Sequence, residues 1–361
     1  MRVWQSEGMH KRILHALFCL LWIIGLGACG TTVSPQEAMV PTNEPVTATK
    51  PPDRPMPSTS VALESPLSSA MDGDMPQLPA TVHDYQGQVV TVDSIERIVS
   101  LSGDVTEIIF ALGLGEHVVG VDSSATYPPA QTQALPNIGY QRRLSAEGVL
   151  SLNPSLVLGD ETAGPPEVLS QIRATGVPVV LVADPPTLAS PAAKVRWVAA
   201  ALGVPQRGEA LATQVAATIA AAKATTLQQD APPRVLFLYL RGTDVQQVAG
   251  RENPADAMIV AAGAINAAAE AGIVEFKPLS PEVIIAIQPD VILVLEKGLE
   301  SIGGVDGLLR IPGIAATPAG RAQHIVAFDD LYLLGLGPRT GHALADLIAA
   351  LQTITTAEAA E

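Results

Sequence analysis

Tyr140 stands in the stretch Gly139-Tyr140-Gln141-Arg142-Arg143-Leu144-Ser145. A phenolate is a hard oxygen donor suited to ferric iron, and tyrosine is one of the side chains that ligate haem iron. Arginine presents a planar fork that fits a carboxylate. A tyrosine with an arginine two residues on therefore suits an iron porphyrin with acidic arms. In an extended loop Tyr140 and Arg142 project to one side, and Arg143 points away to solvent or a neighbouring acid. Gly139 permits an unusual backbone just before the tyrosine. Aromatic residues are only 4% of the chain, so a tyrosine in a polar loop carries weight. The alternative is a half-buried tyrosine that simply packs the loop.

Glu147 and Glu282 form a second constellation. Leu144-Ser145-Ala146-Glu147 recurs in part 135 residues later as Leu279-Ser280-Pro281-Glu282. In both copies a proline, Pro154 or Pro289, then ends the helix ahead of an apolar strand. Such a shared unit suggests two similar lobes. Each serine reads as an N-cap, and each Glu can do no more than offset a helix dipole. Two acids at matched positions also form a spaced pair of negative knobs, suited to two arginine pockets on a two-fold symmetric partner. A glycine-rich loop at 329–340 carries Arg339. It lines a cleft opposite Tyr140 or is a surface turn before an N-cap at Thr340. Tyr239 and Arg241, at the end of an apolar strand, are further candidates for a cleft.

Enzyme signatures are missing. The sequence has no G-x-S-x-G, G-x-x-x-x-G-K-[ST], H-E-x-x-H or C-x-x-C. His83, His117, His324 and His342 are scattered and read as surface or cap residues. A membrane-anchored hydrolase is left without a nucleophile–base pair. Both cysteines fall within the first 29 residues, so the folded body has no disulfide or thiolate metal site. A formal charge of −15 and a pI near 4.8 argue against a nucleic-acid partner. An anionic ligand would need local arginines to overcome that field.

The elements that must position these residues follow in chain order. Lys11 and Arg12 precede an apolar run, Ile13 to Ala28, too short for a comfortable membrane span. Residues 1–29 read as a signal peptide, starting at Met1 or at Met9. It closes at Leu26-Gly27-Ala28-Cys29, which resembles a lipobox; Cys29 would be acylated and anchor the chain outside the cytoplasm. An ordinary secretory peptide is the other reading. Residues 30–80, with ten prolines, read as a disordered tether. A first lobe at 81–188 opens with a hairpin turning at Gln86-Gly87. Strands near 97–101, 118–121, 155–158 and 178–182 then alternate with helices at 104–112, 145–152 and 165–175. That alternation predicts a parallel, doubly wound α/β sheet. Residues 189–230 predict two helices broken at Gly203-Val204-Pro205, the second a stiff crossover spanning about 30 Å. The second lobe, 231–361, has strands at 234–240, 291–295 and 324–328 and helices at 254–262 and 281–287. A last helix is expected at 341–351, with a frayed end from Thr353.

Together these residues resemble the haem substrate-binding proteins of bacterial ABC importers. The resemblance rests on Arg97-Ile98-Val99-Ser100-Leu101, Thr106-Glu107, Gly139-Tyr140, Leu144-Ser145-Ala146-Glu147-Gly148 and Ala249-Gly250-Arg251. It rests also on Ala255-Asp256-Ala257-Met258, Lys277-Pro278-Leu279-Ser280-Pro281-Glu282 and Gly337-Pro338-Arg339-Thr340. It covers roughly Val82 to Leu351, and several pieces are shared with binders of cobalamin and ferric siderophores. The resemblance implies two Rossmann-like lobes joined by one long rigid helix, with the ligand in the interlobe cleft. It implies Tyr140 as axial ligand of haem iron, with Arg142 at a propionate. Arg143, Tyr239, Arg241 and Arg339 would line the same cleft. Glu147 and Glu282 match the acids that dock the permease, which works with its ATPase. Some relatives add a histidine on the strand-end loop of the second lobe; here Leu240-Arg241-Gly242 has none, which implies five-coordinate iron. The expected protein is a monomeric, lipid-anchored carrier of haem and not an enzyme. A ferric-siderophore or corrinoid carrier is the alternative on the same fold.

Overall fold

The computed structural model describes residues 75–358. The expected signal peptide, the acylated Cys29 and the tether up to residue 74 lie outside the described residues. Residues 77–80, assigned above to the tether, already belong to the body: Gln77 N donates to Gly203 O at 2.8 Å and the first strand begins at Ala80.

Strands β1 (Ala80–His83) and β2 (Val89–Val92) pair antiparallel as the expected hairpin. The first lobe's main sheet follows, with β3 (Ile98–Ser100), β4 (Val118–Val121), β5 (Leu156–Asp160) and β6 (Val179–Val182) in the order β4-β3-β5-β6, all parallel. Every residue of β3, β5 and β6 is buried. Short continuous apolar runs suit a sheet covered on both faces by helices. The helix Gly103–Ala111 packs Val105, Ile108 and Ile109 on one face with Ile98 and Leu158. Leu169 and Ile172 of the helix Pro166–Ala174 cover the other, with Val99 and Val157.

The second lobe holds β7 (Arg234–Arg241), β8 (Val245–Ala249), β9 (Ile265–Asn266), β10 (Phe276–Pro278), β11 (Val291–Leu295) and β12 (Ile325–Phe328). Its order is β10-β8-β7-β11-β12, with β9 beside the start of β7. This sheet is mixed: β7, β11 and β12 are parallel, whereas β8 runs antiparallel to both its neighbours, β7 and β10. The sequence reading missed β8 and β10. Gln246 and Gln247 in β8 and Lys277 in β10 break the apolar run that marks a buried strand.

The crossover is the helix Pro205–Ala224, 20 residues long, about 30 Å at 1.5 Å per residue. Leu211, Ala212, Val215 and Ile219 join the first lobe's core, while Ala222 joins the second lobe's. The last helix, Thr340–Glu358, lies against it so closely that a Cβ on Gly341 would meet Thr218 Oγ1 at 2.5 Å. That helix runs seven residues past the expected stop at Leu351, so the tail from Thr353 to Glu358 is helical and not frayed. Gln229 Nε2 donates to Thr355 Oγ1 at 2.9 Å and ties down its last turns. No helix among the described residues is long and apolar enough to cross a membrane.

The internal repeat is visible in the backbone. Ser145 Oγ accepts from Gly148 N, and Ser280 Oγ accepts from Val283 N. Asn153 and Gln288, one residue before each proline, both sit at φ +46°.

Candidate functional site

In open α/β sheets the carboxyl ends of the strands are where ligands bind. The candidate residues gather at those ends in both lobes. Asn137 bridges Val121 at the end of β4, and Gly139, at φ +89°, turns the chain out from there. Its N–H donates to Asn137 Oδ1 at 2.8 Å, and its carbonyl accepts from Ser123 N at 2.9 Å. Tyr140 follows, 46% exposed, so its phenol is presented rather than packed. Gln141–Arg143 then form one 3-10 turn, closed by Arg143 N on Tyr140 O at 2.8 Å. The turn corrects the expected extended loop: side-chain alternation does not apply where the chain coils three residues per turn. Arg142 and Arg143 are both exposed.

Tyr239 and Arg241 stand at the end of β7 in the second lobe. The Arg241 guanidinium lies 4.5 Å from the centre of the Tyr239 ring. Arg241 also pairs with Asp330 and donates to Leu240 O at 2.8 Å. Phe276 meets Tyr239 edge-on at 5.7 Å. Burial first raises the pKa of the Tyr239 hydroxyl. Arg241 opposes that shift, Tyr140 and Asp330 add to it, and Arg142 opposes it.

Arg339 has a different place from the one expected. Its guanidinium donates to both oxygens of Glu107, at 3.0 and 2.9 Å. It lies 3.7 Å from the Tyr127 ring centre and 4.9 Å from that of Tyr332. Tyr332 in turn donates to Asp346 at 2.8 Å. The fork is committed to a buried carboxylate of the opposite lobe and to two aromatic faces, so Arg339 builds the interlobe contact.

Beneath this contact lies a buried polar cluster. Lys194, 1% exposed, donates to Asp104 at 2.5 Å and pairs with Asp184 at 2.7 Å. Its third donor reaches Gly335 O of the second lobe at 2.9 Å. Burial opposes the Lys194 charge, but Asp104 and Asp184 outweigh it and lift the pKa to about 12. Asp122, at the end of β4, is pushed up to about 7, chiefly by burial. Asp160, at the end of β5, is pushed up to about 6 by burial and then by Asp104. Oxygens of Asp104, Asp160 and Asp184 lie within 4.8 Å of one another, a spacing that could hold a cation. The Lys194 ammonium already occupies that role for two of them. The sequence reading missed this cluster, whose one signal is a lysine on the otherwise apolar face of the helix Ser190–Ala201.

Glu147 and Glu282 are exposed, each in the first turn of its helix. Its own backbone N–H and the Ser280 hydroxyl hold the Glu282 carboxyl below the usual range. His83 sits by Gly87 O at 3.3 Å and His117 by Glu116 at 3.8 Å, as surface residues do.

A family model described as "Periplasmic binding protein" matches residues 98–332. Among solved structures, the chain is similar to the periplasmic heme-binding protein RhuT from Roseiflexus sp. RS-1 in apo form. Identity is 72%, with a TM-score of 0.71 over 72% of this chain and 98% of that one. An uncharacterized ABC transporter substrate-binding lipoprotein, YvrC of Bacillus subtilis, is 28% identical over 60% of this chain and 68% of its own length. A vitamin B12-binding protein of Pectobacterium carotovorum is 26% identical over 55% and 71%. The fold and the family match agree: the chain belongs to the periplasmic binding protein family.

Proposed function

We propose that this protein captures haem outside the cytoplasm and hands it to the permease of an ABC importer without transforming it. The observation that carries the reading is Tyr140, an exposed phenol set on a fixed turn at the sheet's carboxyl edge. The 72% identity to a heme-binding protein over nearly the whole of that protein supports haem as the cargo. Tyr140 would supply the oxygen to ferric iron. Arg142, Arg143 and Arg241 would meet the propionates, and Tyr239 the porphyrin from the other wall. The cleft's cations offset a chain of net charge −15, which otherwise repels an anion.

Glu147 and Glu282 would dock two arginine pockets of the permease, whose ATPase drives uptake. Acylation at Cys29 would hold the carrier, as a monomer, on the outer face of the membrane. The long crossover helix and the Arg339–Glu107 ion pair between the lobes suit small closure on binding rather than a wide hinge. A corrinoid carrier is the second reading, favoured by the vitamin B12-binding relative.

The test is an equilibrium titration of the full chain with ferric haem and, separately, with cobalamin. Saturable haem binding with a Soret band, and none with cobalamin, is expected. Binding of cobalamin alone would replace this reading with the second.

A further inference from the structure

A side-chain chain of hydrogen bonds runs under the Tyr140 loop. Gln141 Nε2 donates to Thr162 Oγ1 at 2.6 Å. Thr162 Oγ1 donates to Asp160 Oδ1 at 2.6 Å, and Thr162 N donates to the same oxygen at 2.7 Å. The hydroxyl's one proton is spent on the carboxylate, so its lone pair must accept from Gln141. The direction of each bond is thereby fixed, and each polarises the next. Asp160 is itself 4% exposed at the end of β5, on the rigid edge of the sheet.

Gln141 is the residue directly after Tyr140. Its Oε1 is buried with no partner among the described residues. The amide thus has one side-chain anchor, and that anchor is Thr162. The backbone adds two ties, Gly164 N to Gln141 O at 2.8 Å and Leu144 N to Gly164 O at 3.0 Å. These hold the main chain of the 3-10 turn against residues 162–164, and the Gln141 side chain adds a third tie to the same segment.

We propose that Thr162, held by Asp160 and acting through Gln141, is a positioning residue that sets the Tyr140 oxygen for its ligand. The inference rests on the reading of Tyr140 as the iron ligand. Thr162 touches no ligand; it reduces the number of orientations the turn explores. A site whose competent state is only fractionally populated binds more weakly by that fraction. Losing one hydrogen bond of this kind therefore predicts roughly a fivefold faster release of haem.

The test compares the full chain with Thr162→Val, Thr162→Ser, Gln141→Met and Tyr140→Phe. Haem release to an excess of scavenger, the phenolate charge-transfer band and the melting temperature of the apo-protein are measured for each. The expected result is faster release and a shifted band in Thr162→Val and Gln141→Met, recovery in Thr162→Ser, and little change in melting. Gln141→Met breaks the same bond from the other side should Thr162→Val fail to fold. If Tyr140→Phe loses the band while both Thr162→Val and Gln141→Met release haem at the parent rate, the positioning role is overturned. If Tyr140→Phe leaves the band unchanged, the axial role is overturned and the positioning role falls with it.

Discussion

Arg339 of the second lobe holds Glu107 of the first through two bonds, at 3.0 and 2.9 Å. The side chains are 13% and 3% exposed, so water screens the pair little. A buried fork thus ties the two lobes at their contact. Cutting one partner strands a buried charge, which costs about 3–5 kcal/mol. Arg339→Leu should lower the melting temperature by on the order of 10 °C, and adding Glu107→Leu should recover part of the loss. Melting within about 2 °C of the parent would show that the pair contributes nothing to the lobe contact.

Lys194→Met tests the polar cluster under the same contact. Below its unfolded pKa of 10.5 the lysine's contribution is fully present, and it fades only as pH rises through about 12. Without the ammonium, Asp104 and Asp184 lose their shared partner. The Asp184 carboxyl, raised by burial against the opposing pull of Lys194, is relieved as pH falls and takes up a proton. The loss of stability should therefore be larger at pH 8 than at pH 5, read from urea midpoints at both. A loss independent of pH would mean that packing, not charge, is what the lysine provides.

Asp122 makes the opposite prediction. Its folded pKa is raised from 3.8 to about 7 by burial, with Ser124 opposing and Asp104 and Asp160 adding to it. A raised carboxyl favours the fold below its unfolded pKa, and that favour is lost as pH rises through about 7. Asn can keep both Ser124 contacts, at 3.0 and 2.8 Å in the parent. Asp122→Asn should gain stability over the parent on the order of 2 kcal/mol at pH 8, and the gain should shrink toward pH 5. A constant difference across that range would rule out titration of this carboxyl.

The double variant Glu147→Ala and Glu282→Ala separates capture from delivery. Both side chains are exposed at the starts of matched helices. Haem affinity should stay within about twofold of the parent, while transport into vesicles carrying the permease stops. Normal transport would remove the docking role.

Much of this was legible in the sequence for a physical reason. Ser145 and Ser280 cap helices in the way their type and position predict, and Pro154 and Pro289 follow the helices they end. The buried parallel strands announce themselves as apolar runs. What escaped depended on partners distant in sequence. Nothing near Arg339 indicates Glu107, 232 residues away, as its partner. Asp104, Asp160 and Lys194 look like ordinary charged residues until the sheet edge collects them. Strand β8 pairs through its backbone while its side chains stay half polar, so period-two reading finds no signal. The Tyr140 loop precedes its helix as the sequence indicates, but its 3-10 turn is set by contacts with residues 162–164.

The Tyr140 phenolate is the iron ligand we propose. The full chain and Tyr140→Phe, each titrated with ferric haem and followed by absorption, test it most directly. The parent should saturate with a high-spin, phenolate-type charge-transfer band, and Tyr140→Phe should lose that band and bind more weakly. Identical spectra and affinities for the two would contradict the claim and reduce Tyr140 to a residue that packs its loop.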